Sequence, residues 1–269
     1  MNPITHSRSL FERRAAGAVI VRELRTAVLN RYLQVFCGLA LAGGIGAALL
    51  ADTPDAAPLL ILQIALYFVS LFALLLGTSS ARAESSEWPL LFAQPIARSA
   101  FLLGKFLALT LMFAGLLALL FLPTLFVRPP DATLFLLYGR TLTLAAAFVS
   151  LGLSAGFLAH DRVQGMVLGV SAWLLLLFGL DLLALLVARW SFLQQAPDVW
   201  AALLMLNPLD AFRIDALFAL ERIPAEAASQ TALTSWWLAH SGLCFLLISI
   251  GWMASLLGLT AKRLARWEG

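Results

Sequence analysis

The stretch LLFAQPIARSAFLLGK, residues 90–105, decides how this chain folds. Pro95, Arg98 and Lys105 mark it as a polar break, and Pro95 pushes the residue before it away from helical geometry. Leu90, Leu91, Phe92 and Ile96 are too apolar for a solvated turn, so they must bury against something. On either side the sequence turns apolar for long distances: residues 58–78 upstream and 101–127 downstream each reach the roughly 20 residues that a membrane-crossing helix needs. Residues 90–105 are therefore a connection at a membrane surface whose own apolar side chains need a partner.

The rest of the chain repeats this pattern. Of its 269 residues, 61% are hydrophobic and 12% charged, half the charged share of an ordinary soluble domain. Four further stretches, at 33–50, 134–158, 166–188 and 236–259, bring the candidate spans to six. The first is rich in glycine (Gly38, Gly43, Gly44, Gly46), which permits close helix packing in membranes. Period-two alternation is absent, so a barrel is excluded in favour of an all-α polytopic membrane protein, one domain over residues 1–269. The basic residues set its orientation. Thirteen of the 18 fall on the side that carries both termini, and five (Arg128, Arg140, Arg189, Arg213, Arg222) on the other. Positive charge stays inside, so both ends are expected in the cytoplasm of a bacterium, with the chain in its inner membrane. The net charge of +3 conceals this asymmetry and gives no argument for nucleic-acid binding. No cleavable signal peptide is expected, because the first apolar run starts late and lacks a small-residue cleavage site; that span is expected to be its own targeting signal. Cys37 and Cys244 both fall within spans, so no disulfide framework is suggested.

Two segments lie outside the spans. Residues 16–28 place Ile20, Leu24, Ala27 and Val28 on one helical face and Arg22, Arg25 and Thr26 on the other, as in a helix lying among lipid headgroups. It serves either as an anchor or as an elbow, spanning 8–31, that moves with the bundle. Residues 189–235 mix apolar side chains at helical spacing with acids, which predicts short amphipathic helices on the outer surface, broken at Asn207-Pro208. This segment is either a lid on lipid or a platform for a partner outside the cell.

Charges within the membrane call for partners. Counted from the outer ends of their spans, Arg140 and Asp181 lie at similar depths, roughly 9 and 10 Å, and are expected to pair within a chain or across a dimer. His240 and Cys244 share a helical face and form a weak candidate copper site, with no further ligands to complete it. For enzymatic chemistry only His160-Asp161 and Glu84 with Glu87 stand out. They sit in loops beside arginines, and no G-x-S-x-G, H-E-x-x-H or Walker A sequence occurs. If the protein uses ATP, another subunit hydrolyses it.

The extended stretch ESSEWPLLFAQPIARSAFLLGKFLA resembles the first cytoplasmic loop of ABC-2 type permeases, with Glu87, Leu90, Leu91, Pro95, Arg98, Gly104 and Lys105 in the family's places. Trp88-Pro89 stands where the family often has Gly-Thr. The residues VIVRELRTAVLNRYLQ (19–34), Gly139 to Leu142, the run around Asp181 and LLMLNPLDAFRI (203–214) are similar to the NosY branch, the permeases of the nitrous-oxide-reductase maturation system. The resemblance implies a non-enzymatic homodimer of six-helix subunits. In it residues 84–100 act as a coupling helix seated in a cytoplasmic ATPase (NosF-like), with Glu84, Glu87 and Arg98 at the polar rim around Leu90, Leu91 and Pro95. It also implies a periplasmic β-helix copper-handling partner (NosD-like) over a platform that includes Trp200, Asn207, Pro208, Asp210 and Arg213. No cofactor is expected on this chain itself; ATP and Mg belong to the ATPase, and copper to the system. The alternative within the class is an ABC-2 exporter of a lipid, a sulfur species or another substrate.

Overall fold

Among the described residues, six helices are long and apolar enough to cross a membrane, and they set the architecture of the computed structural model. The structure describes residues 17, 19–26, 31–50, 56–83, 98–127, 132–187, 205–220, 236 and 240–266; no strand occurs among them. A short helix α1 (19–26) precedes the spans α2 (Arg31–Leu49), α3 (Ala56–Ala83), α4 (Arg98–Phe126) and α5 (Ala132–Leu158). The span α6 runs as Arg162–Leu174, Leu175–Gly179 and Leu180–Val187. Helix α7 (Pro208–Ala219) is too short to span, and α8 (Ser241–Ala265) completes the bundle. All six spans coincide with the apolar stretches of the sequence.

Helix ends depart from the apolar runs where polar groups are satisfied within the helix. The third helix continues past residue 78 because Thr78 and Ser79 donate their hydroxyls to the Leu74 and Leu76 carbonyls, 2.9 and 3.0 Å away. The last helix runs to Ala265, beyond the expected 259, with Lys262 and Arg263 in its final turn where cations complement the helix dipole. Asp161 caps α6 by accepting from the Gln164 amide at 2.7 Å, while the Gln164 side chain accepts from the His160 amide, a reciprocal cap. That local duty accounts for the polar pair His160-Asp161.

Helix α5 is the centre of the bundle, packed on by α3, α4, α6, α7 and α8. In its most apolar window 83% of residues are buried, against 17% for α8, so α5 is the span that lipid scarcely touches. Lipid is as apolar as leucine, so contact dispersion and interhelical hydrogen bonds, rather than expulsion of water, favour this packing. A methyl added at Gly152 would collide with the Leu74 backbone carbonyl, and one at Gly44 with that of Leu120, so glycine alone allows α3 to meet α5, and α2 to meet α4, at backbone contact. Thr78 Oγ1 reaches the Gly152 carbonyl at 3.2 Å, Tyr138 donates to Ala114 O at 2.7 Å, and Ser154 donates to Leu256 O at 3.2 Å. Each such bond is worth about 0.6 kcal/mol in a membrane, so together they stabilise the pairings modestly while fixing their register.

Two spans carry a π turn, at Ala65–Val69 in α3 and Leu175–Gly179 in α6. The two helices are joined beside these turns by a hydrogen bond from Trp173 Nε1 to Ser70 Oγ at 2.9 Å. A π turn widens the helix by one residue and upsets its carbonyl ladder locally.

Candidate functional site

Among the described residues, the buried charged groups gather at the two ends of the bundle. At the end formed by Ala83 and Arg98, where residues 84–97 enter and leave, Glu23 of α1 meets Lys105 of α4 in a buried ion pair. Glu23 is 5% exposed and Lys105 wholly buried. The Ser80 hydroxyl donates to Glu23 Oε2 at 2.8 Å, and Lys105 Nζ also reaches Ser80 O at 3.2 Å, with the Phe101 ring 5.4 Å from the ammonium. Three helices thus share one charged knot. Two arginines bind the same end to the rest of the bundle. Arg82 donates to the His160 carbonyl at 3.2 Å, in the turn between α5 and α6. Arg98 donates to the Leu264 carbonyl and, at 3.2 Å, to that of Ala265, at the end of α8. Carbonyls left over at a helix C-terminus are natural sites for a guanidinium.

At the opposite end, α7 sinks between spans instead of resting on the surface. Its residues Leu209, Phe212, Asp215 and Ala216 are all buried, and the Phe212 ring stacks at a tilt on Phe245 of α8, centroids 5.7 Å apart. Asp215 is fully buried and takes the Arg140 guanidinium, Nε 2.6 Å from Oδ2, out of line for a hydrogen bond; Ser241 donates to its other oxygen at 2.8 Å. Burial lifts the Asp215 carboxyl above its ordinary range, and Arg140 and Ser241 pull it back only in part. The expected partner of Arg140 within the chain, Asp181, is therefore corrected to Asp215. Asp181 is exposed in the last piece of α6, and the depth match that selected it ignored α7, which enters the same layer.

Asn207 holds α7 in place. Its side chain caps the helix by accepting from the Leu209 amide at 3.1 Å, and its Nδ2 donates to Leu176 O at 2.6 Å, within the π turn of α6. It also donates to Asp210 Oδ2 at 2.6 Å. Burial raises the Asp210 carboxyl to about 6; Asn207 and Arg213 oppose the rise and Asp181 adds to it. Trp252 Nε1 of α8 donates to Leu206 O at 3.0 Å on the same turn. Of the platform residues expected from the sequence, Asn207 and Pro208 are thus buried anchors, Asp210 is half-buried, and Arg213 is exposed.

Glu84, Glu87, Leu90, Leu91, Pro95 and Trp200 lie outside the described residues; Arg98 is described and turns toward α8. His240 stacks on Trp236, ring centroids 5.1 Å apart, with Nδ1 2.9 Å from the Trp236 carbonyl, and Cys244 is buried one turn on. Among the described residues no three His, Cys, Asp or Glu side chains converge as a metal site would require. Sequence reasoning missed Glu23, Ser80 and Asp215. Two of these carried a signal, since Glu23 falls between Ile20 and Leu24, and Asp215 between Phe212 and Ala216, on the apolar face of an amphipathic helix.

No family model matches the chain. It is similar to the probable ABC transporter permease protein NosY of Pseudomonas aeruginosa, with 30% identity over 247 residues that cover 81% of this chain and 89% of the relative.

Proposed function

Because this chain belongs to the ABC transporter permease family, we propose that it carries the work of a partner ATPase across the membrane to a copper-handling protein, in maturation of nitrous-oxide reductase. The termini, and residues 84–100 as coupling helix, face the cytoplasm, in keeping with thirteen basic residues on that side against five on the other. Two copies of the chain pair, each seated on a NosF-like ATPase, and the α7 end faces a NosD-like partner in the periplasm. The observation that carries this reading is the way both ends of the 84–97 segment are fastened to the bundle. Arg82 grips the α5–α6 turn and Arg98 the end of α8, while Lys105 grips α1. A push on that segment is delivered to helices that reach the far side, where α5, α6 and α8 each hold α7 by a polar contact. Transmission of motion, without a copper-lined channel, fits the chemistry of these contacts. The test is the purified complex with Glu87→Gln or Arg98→Ala. ATP hydrolysis is expected to continue while copper-site maturation falls by about 10- to 100-fold, as for misplacement by an ångström in a coupled machine. Failure of either variant to assemble with the ATPase would make these residues scaffold and overturn their role in coupling.

A second reading, export of a lipid, draws on an apolar groove of about 550 Å³ beside α8, lined by Leu206, Leu247, Ile248, Gly251, Trp252 and Ser255. Nucleotide-dependent release of a labelled lipid from vesicles containing the complex would favour it over mechanical transmission.

A further inference from the structure

We propose that Glu23, Ser80 and Lys105 are positioning residues that make α1 travel as one body with the two roots of the 84–97 segment, an inference that rests on the permease reading above. Ser80 lies within a turn of the end of α3, and Lys105 two turns into α4, so the two residues bracket the segment from both sides. Glu23 binds both at once: Oε1 takes the ammonium and Oε2 the Ser80 hydroxyl. Lys105 closes the ring onto the Ser80 carbonyl and hydroxyl, at 3.2 and 3.3 Å.

Adhesion alone does not call for such a ring. A buried ion pair repays its desolvation only with good geometry, and apolar residues of similar volume commonly hold a helix as well or better. What the charged ring adds is direction: apolar side chains slide over one another at little cost, whereas a carboxylate shared by an ammonium and a hydroxyl fixes both distance and orientation. Helix α1 has an apolar face suited to gliding along a membrane surface, and the ring removes that freedom at one point. The helix therefore reports, and restrains, the position of the segment's roots.

The test uses the full complex with its ATPase, the two native cysteines replaced and spin labels on Val21 and Ser99, both exposed. In the otherwise native chain the distance between the labels is expected to stay constant within about 1 Å between the nucleotide-free and the ATP–vanadate states, while distances from Val21 to a label on Leu136 at the far end shift by more than that. In Glu23→Leu/Lys105→Met, which keeps apolar packing, the Val21–Ser99 distribution is expected to broaden and become nucleotide-dependent. ATP-driven output should then fall by about tenfold or more, with assembly retained. Glu23→Gln, which keeps one acceptor, turns the other into a donor and removes the charge, is expected to fall between the two. A Val21–Ser99 distance that shifts with nucleotide in the native chain overturns the inference and leaves the permease reading standing, as does a double variant that behaves like the native chain. If no ATPase binds the chain at all, the permease reading fails and takes this inference with it.

Discussion

Replacing Arg140 by methionine strands a carboxylate whose only described hydrogen-bond donor is then Ser241. Asp215 is fully buried, so it must either stay ionised or take up a proton. Leaving one member of a buried pair uncompensated costs about 3–5 kcal/mol. Protonation offers an escape whose cost depends on pH. At about 1.36 kcal/mol per unit, the roughly three units between an ordinary carboxylate and pH 7 set a ceiling of about 4 kcal/mol, falling to about 1.5 at pH 5, and the raised carboxyl of the native chain keeps the loss below these limits. The loss on Arg140→Met is therefore expected to be about 2–4 kcal/mol at pH 7 and less than half of that at pH 5. The double variant Arg140→Met/Asp215→Asn removes both charges and keeps an acceptor for Ser241, for an expected loss of about 1 kcal/mol. Asp215→Asn alone is expected to be milder than Arg140→Met, because Arg140 is partly exposed and its long side chain can reach toward the interface. The assay is unfolding of the detergent-solubilised protein in a sodium dodecyl sulfate titration, followed by tryptophan fluorescence at both pH values. Equal losses for the single and double variants at pH 7, or a single-variant loss that does not shrink at pH 5, would refute the pairing.

Asn207→Ala strands the Leu176 carbonyl in the π turn and is expected to cost about 1–3 kcal/mol, read as faster amide exchange across 175–180 with the far end of the bundle unchanged. The Asp210 carboxyl, at about 6 when folded against 3.8 ordinarily, binds its proton more tightly in the folded state, so its ionisation opposes folding. Stability is expected to rise as pH falls from 7 through 6 toward 4, by about 1 kcal/mol after screening at this partly exposed site, and Asp210→Asn should remove that slope. Gly152→Ala drives a methyl into the Leu74 carbonyl and is expected to cost about 2–3 kcal/mol in the same titration, while Gly251→Ala, with open space around it, should stay within about 0.5 kcal/mol.

The six spans were legible because length and hydropathy alone specify a membrane helix. Helix termini were less so. The apolar runs stop at Thr78 and Leu259, but the helices go on, because hydroxyls satisfy carbonyls and basic side chains suit a final turn. The need of Arg140 for a partner was legible, since a guanidinium within an apolar run demands one; which acid would meet it was not. Asp181 was the only acid inside an apolar run at that depth, and nothing in a hydropathy plot says that a polar-flanked helix such as α7 submerges. Its periodicity did say so, as Leu209, Phe212 and Ala216 share a face with Asp215. Glu23 was hidden in the same way, its acid obscured by the arginines around it. Ser80 gave no signal, because a serine near a helix end has many uses and only the fold brings it to Glu23 and Lys105.

The charged ring also sets a schedule. Lys105 follows Glu23 by 82 residues, which at roughly 5–20 residues per second takes a ribosome about 4 to 16 s to add. During that interval the nascent α1 holds an acid with no ammonium to meet, and it must wait at the water-facing rim until the third span has been threaded. The first helix made is thus moored only when the third span arrives, and any chain released before Lys105 emerges leaves it adrift.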